Sequence, residues 1–162
     1  MQAPAQLPTF NIDAQASTVL ATGPQAGEGN AEEIRSTISW ALSDMMQGRS
    51  GLEEAPPARF SAKVDYEIES WPVAACLLVL SLVGCPMAAW TADVDLVLEV
   101  DGKVYRGSGR HTAAAGIYYN NNGLNVVVGA TEKAVANALS GPAEGGSETA
   151  NETHEQGAHG AL

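Results

Sequence analysis

Apolar and polar positions alternate most regularly between Arg59 and Ser70. Every second residue of this stretch is apolar or aromatic, namely Phe60, Ala62, Val64, Tyr66 and Ile68. A period of two is that of a β-strand with one buried face and one wet face. Such a strand is typical of an antiparallel sheet that is covered on one side only.

Two more stretches alternate in the same way. Residues 93–100 are followed by Asp101 and Gly102, and this dipeptide predicts a tight hairpin because both turn positions need positive φ. The hairpin is expected to extend to Arg110. Residues 9–16 alternate less strictly and predict a first strand.

Helical spacing predicts two helices. Residues 30–48 form the first, with Asn30 as its cap, Gly48 at its end, and an apolar stripe of Ile34, Ile38, Ala41, Leu42 and Met45. Residues 124–139 fit a second helix over their full length, although 124–129 alone also fit a short strand.

The order strand, helix, strand, apolar stretch, hairpin, helix predicts an α+β fold, in which helices pack on one face of an antiparallel sheet. A chain of 162 residues suits a single domain, which we place at residues 9–140. Residues 1–8 are expected to be a disordered leader. Residues 141–162 hold no large apolar side chain before Leu162, so we expect a disordered tail.

Residues 71–90, here called the apolar segment, carry no charge and begin and end with tryptophan. Three interpretations compete. The run from Leu82 to Cys85 has the form of a lipoprotein signal, but strongly patterned sequence and an acidic flank precede it. A single membrane span has the required length of roughly 20 residues, yet it would put the neighbouring strands on opposite sides of the bilayer.

We favour the third interpretation, in which the chain leaves the sheet near Ser70, forms an apolar helix or hairpin, and returns on the same side. The segment then contacts a membrane or a partner protein, or it is a plain buried part of the core. The predicted contact residues are Trp71, Leu77, Leu78, Leu80, Leu82 and Trp90. Cys76 and Cys85 would form a disulfide in an oxidising compartment, or would act as two small buried apolar side chains.

Charge and motif content restrict the function. With 8 Lys and Arg against 19 Asp and Glu, the net charge of -11 disfavours nucleic acid as a partner. His111 with Asp93 or Asp95 is a weak metal set, better explained by polar side chains facing solvent. The glycines at 107 and 109 lack the strand-to-helix setting of a phosphate loop and indicate a bulge or a strand end. We therefore expect no enzyme activity, no cofactor and no metal.

The stretches "VDGKVYRGSGR" and "GATEKAVANAL" resemble small lipoproteins of the Gram-negative envelope, which share an α+β domain with the N-terminal domain of TolB and with curli-type secretion channel subunits. The resemblance implies a periplasmic, membrane-associated protein, with a lipid anchor on an N-terminus since removed. Its partners would be membrane lipid, an envelope protein or copies of itself. An oligomeric channel or secretion-type subunit and a soluble binding domain are the alternatives.

Overall fold

The computed structural model describes residues 7–23, 28–70, 88–115, 124–141 and 144–145. The strands are β1 (Asn11–Ile12), β2 (Thr18–Thr22), β3 (Pro57–Ser70), β4 (Ala88–Val100), β5 (Lys103–Ala115) and β6 (Glu144–Gly145). The helices are α1 (Glu28–Met46) and α2 (Leu124–Ser140), and a short 3-10 turn spans Leu52–Glu54. Both helices pack on the same face of one sheet, so the predicted α+β fold is confirmed.

The three long strands form the centre of the sheet. β3 pairs antiparallel with β4, and β4 pairs antiparallel with β5 through a turn in which Asp101 has φ 49° and Gly102 has φ 73°. This is the turn geometry that the Asp-Gly dipeptide predicted. The hairpin is longer than expected at both ends, because β4 already begins at Ala88 and β5 continues to Ala115.

The edge of the sheet next to β3 departs from the prediction. β1 and β2 both run parallel to β3, so the sheet is mixed rather than purely antiparallel. The parallel arrangement follows from the connection, since α1 crosses over the sheet between β2 and β3.

One continuous strand over residues 9–16 is a wrong prediction. The carboxylate of Asp13 accepts the backbone N–H groups of Gln15, at 3.0 Å, and Ala16, at 3.2 Å, which bends the chain between β1 and β2. The hydroxyl of Ser17 then donates to the carbonyl of Asp13 and accepts the N–H of Phe60, fixing the bend to β3. Alternation of residue types could not reveal this side-chain competition with the ladder.

Helix α1 confirms its predicted stripe. Ile34, Ile38, Ala41 and Leu42 are buried, and Met45 is partly buried against the same core. Gly48 has φ 78°, the left-handed conformation that favours glycine just past a helix end. The helix begins at Glu28, two residues before the predicted cap Asn30.

Helix α2 lies unusually close to β5. A Cβ atom on Gly109 would be 2.1 Å from the carbonyl oxygen of Ala130, and one on Gly107 would be 2.0 Å from that of Ala134. Both glycines sit inside the regular ladder, opposite Val94 and Leu96, so the predicted bulge or strand end is wrong. Both positions require glycine, because the backbone of α2 occupies the space that a side chain would need.

Both ends of the described chain contribute contacts outside residues 9–140. Leu7 is buried in the core, and its carbonyl accepts a hydrogen bond from Arg49. Glu144 and Gly145 pair with β5 at Val104 and Lys103. One buried side chain, one hydrogen bond and two backbone pairs hold these ends, and composition does not predict contacts of this kind.

We predict that Gly109→Ala lowers the free energy of unfolding by about 1–3 kcal/mol, because the added methyl group must push α2 away from β5. Urea denaturation measures the loss. Ser108→Ala is the matched control, because its exposed side chain points to the other face, and its effect should stay within about 0.5 kcal/mol. Equal denaturation midpoints for the two variants would contradict the close helix contact.

Candidate functional site

The three long strands end in one row at one end of the sheet. Ser70 is the register partner of Ala88, and Ala88 is the partner of Ala115. This row is called the segment end of the sheet below. Residues 71–87 therefore leave and return one strand apart, at a Cα separation of about 4.5–5.5 Å for an antiparallel pair.

The pairing of β3 with β4 decides between two of the sequence interpretations. The two strands that flank residues 71–87 are register partners along 13 residue pairs, from Ala58–Val100 to Ser70–Ala88. Strands paired in this way lie side by side, so they are not on opposite sides of a bilayer. A single span across residues 71–87 is thus incompatible with the sheet.

The connection from β5 to α2 leaves from the same place. β5 ends at Ala115 in the row with Ser70 and Ala88, and α2 begins at Leu124. No Asp, Glu, Lys or Arg occurs between Ser70 and Ala92, nor between His111 and Thr131. Both uncharged stretches of the chain therefore meet at the segment end.

Most of the predicted contact residues lie outside the described residues: Trp71, Leu77, Leu78, Leu80 and Leu82, together with Cys76 and Cys85. Trp90 is described, and it lies within β4 rather than in a connection. Its register partners are Ile68 on β3 and Ala113 on β5.

Trp90 packs against Tyr66 on the helix-bearing face of the sheet. The ring centroids are 5.5 Å apart and the ring planes are tilted by 33°. Tyr66, Ile68, Trp90 and Ala113 are each half-buried, and together they form what we call the aromatic rim. The deeper positions on the same face, Val64, Ala92 and Val94, are fully buried.

Tyr66 is the one tyrosine of the rim and its ionisation is perturbed. Burial raises the pKa of Tyr66 from its ordinary value of 10.0 to about 12, and the nearby negative charge of Glu33 on α1 adds to the effect. The phenol consequently stays neutral throughout the physiological range. Its ring packs in the rim as an apolar body that carries a polar hydroxyl.

The opposite, open face of the sheet is charged. Arg59 pairs with Glu99 at 2.8 Å, and Arg110 lies 3.7 Å from Asp93. Asp65 and Asp93 are direct register partners, so two like charges face each other beside Arg110. Exposed ion pairs of this kind contribute little to stability, and they keep this face in water.

The weak metal set suggested by the sequence is not assembled. Asp93 and Asp95 lie on the open face, whereas His111 lies on the helix-bearing face and its ring packs on Gly129 of α2. Within the described ranges, no three His, Cys, Asp or Glu residues converge on a possible metal position.

The outer edge of β5 is closed by α2. The amide nitrogen of Asn137 donates to the carbonyl of Ser108 at 2.7 Å, and the amine of Lys133 donates to that of Arg110 at 2.9 Å. The shallow groove along this edge is lined by these four residues and also by Asp93, Val94 and Asp95 of β4. Satisfying edge carbonyls in this way protects the strand from pairing with another chain.

Sequence reasoning placed Tyr66 and Ile68 on the buried face but did not connect them to Trp90. The alternation along β3 predicted that these two side chains lie on the buried face. The partners across the ladder depend on register, and residues 88–92 carry three alanines and a threonine that give no strong strand pattern. The aromatic rim became visible only with the pairing of β3 and β4.

No protein-family model matches this chain, and no curated protein matches it. Among solved structures, the chain is similar to one described as a "putative lipoprotein" from Caulobacter crescentus CB15. The two share 14% identity over 78% of this chain and 83% of the other, with a TM-score of 0.29. The likeness to TolB and the curli-type subunits remains a prediction.

Of the helices in the described residues, neither combines the length and the apolar character that crossing a membrane requires.

The raised pKa of Tyr66 predicts a loss of stability at high pH. Below pH 10.0 the phenol is neutral in the folded and unfolded chain; between pH 10.0 and about 12 the unfolded chain releases its proton first. The free energy of unfolding therefore falls as the pH rises through this window. Urea denaturation of the wild type and of Tyr66→Phe measures it, and the variant should show the shallower decline. Parallel declines would contradict the perturbed pKa.

Proposed function

We propose that this protein is a non-enzymatic component of a bacterial envelope that docks onto a lipid bilayer through the apolar segment. The proposal rests on the uncharged composition of residues 70–92 and on the place where the sheet holds the two ends of residues 71–87. Residues 70–92 contain no charge, and the register holds both ends of residues 71–87 side by side at the segment end. The envelope setting rests on the sequence resemblance.

The composition of the segment favours lipid over water. Ser81 is the one hydrophilic side chain between Trp71 and Trp90. Leaving a leucine or valine in water instead of burying it costs about 1.5–3 kcal/mol per side chain. Leu77, Leu78, Leu80 and Leu82 alone therefore make an exposed segment unfavourable unless something covers it.

The helix-bearing face of the sheet has its own cover. Helices α1 and α2 pack on this face and on each other, and the buried side chains of β3 and β4 lie beneath them. Beyond the half-buried aromatic rim, the apolar segment is not required to close this face. That supports contact outside the domain rather than a role as ordinary core.

The net charge of the chain indicates which lipid composition the protein can bind. A net charge of -11 opposes attraction to anionic lipid surfaces, so docking has to be driven by burial of apolar surface. A zwitterionic bilayer such as phosphatidylcholine is the appropriate target.

The direct test is flotation of the full chain with phosphatidylcholine vesicles in the absence of detergent. The wild type is expected to float, and Leu78→Asp combined with Leu80→Asp is expected to stay at the bottom. A charged side chain costs roughly 2.5–3.5 kcal/mol in the hydrocarbon region, so two should abolish docking. Leu20→Asp is the matched control, since Leu20 is 61% exposed on β2, and it should float like the wild type.

Two results would count against membrane docking. If the wild type stays at the bottom as a monomer and the double variant unfolds, the apolar segment belongs to the core of a soluble binding domain. If the wild type forms a defined oligomer that needs Leu78 and Leu80 but does not float, the segment joins copies of the chain, as in a channel or secretion-type subunit.

A further inference from the structure

We propose that Ile68, Trp90 and Ala113 of the aromatic rim lie in the headgroup layer of the docked bilayer, with Trp90 as the anchor and Tyr66 on the water side of that layer. This inference rests on the proposed function and adds to it residues of the folded sheet. It also predicts the depth to which the domain approaches the lipid. The argument uses the positions of the described strands and the charge pattern along them.

The distance along the strands agrees with the thickness of the headgroup layer. Trp90 lies two residues into β4 from the row of Ser70, Ala88 and Ala115, which is about 7 Å at a rise of about 3.3 Å per residue. The headgroup region on each side of a bilayer is roughly 5–8 Å thick. If the hydrocarbon boundary lies at the row, the indole of Trp90 lies in the headgroup layer.

Tyr66 extends the anchor to the water side of that layer. It lies four residues before Ser70, about 13 Å from the row, and its ring reaches to within 5.5 Å of Trp90, centroid to centroid. Both side chains are half-buried, so an aromatic surface remains accessible beside the segment end. Tryptophan and tyrosine are enriched at membrane–water interfaces because each has an apolar body and a polar group.

β4 and β5 carry no charge through the whole depth of the proposed layer. Asp93 on β4 and Arg110 on β5 are each five residues from the row, about 17 Å. β3 differs, because the exposed Glu67 on its open face is three residues from Ser70.

The three tryptophans of the chain provide the experiment. Trp40 is 58% exposed on α1, Trp71 lies in the apolar segment, and Trp90 lies in the rim. Trp40→Phe with Trp71→Phe leaves Trp90 as the only indole, and Trp71→Phe with Trp90→Phe leaves Trp40. Each variant is bound to phosphatidylcholine vesicles, its bound fraction is measured by flotation, and quenching by brominated lipid is referred to that fraction.

The expected result is loss of Trp90 emission that is greater with bromine near the headgroup than near the end of the acyl chain. Trp40 emission should be unchanged with either lipid. Binding without quenching of Trp90, or equal quenching of Trp40 and Trp90, would overturn the placement of the rim while leaving docking through the segment intact. Failure of the wild type to float would overturn the proposed function itself.

Discussion

The antiparallel ladder between β3 and β4 fixes where the apolar segment can go. Because Ser70 and Ala88 are register partners, residues 71–87 are a closed excursion from one end of the sheet. The same ladder places Trp90 beside Ile68 and close to Tyr66, and it turns the charged residues of both strands to the open face. The proposed contact with lipid depends on this register, since a slip of one residue would reverse the faces of a strand.

The close contact between α2 and β5 stabilises the side of the sheet opposite β3. Gly107 and Gly109 allow the alanines of α2 to approach the strand backbone, and Asn137 and Lys133 then satisfy carbonyls at the strand edge. Helix α2 thus covers the apolar face together with α1 and also satisfies carbonyls along the outer edge of β5. The domain is left with charged residues on its open face and uncharged chain at the segment end.

The long, strongly patterned elements could be predicted from the sequence. Alternation in β3, the Asp-Gly turn and the apolar stripe of α1 each follow from local chemistry, and the structure contains all three. The parallel edge strands, the break at Asp13 and the role of the glycines could not be predicted. Each of these depends on which element lies opposite, and a single sequence does not show this.

The candidate site likewise has one part that the sequence predicted and another that only the structure revealed. Composition alone identified the apolar segment and Trp90, while Tyr66, Ile68 and Ala113 joined the site only through strand register. Most of the predicted contact residues fall in 71–87, outside the described residues, so their role as lipid contacts stays a prediction. What the fold adds is the position of both ends of that stretch.

The most direct measurement is a cross-link at the base of the apolar segment. Ser70→Cys and Ala88→Cys, with Cys76→Ala and Cys85→Ala, place two thiols at register partners whose Cα separation suits a disulfide. The account predicts that the disulfide forms within one chain and that the oxidised and reduced proteins float equally well with phosphatidylcholine vesicles. Loss of flotation on oxidation would show that docking requires β3 and β4 to separate, which contradicts a segment that leaves and returns on the same side.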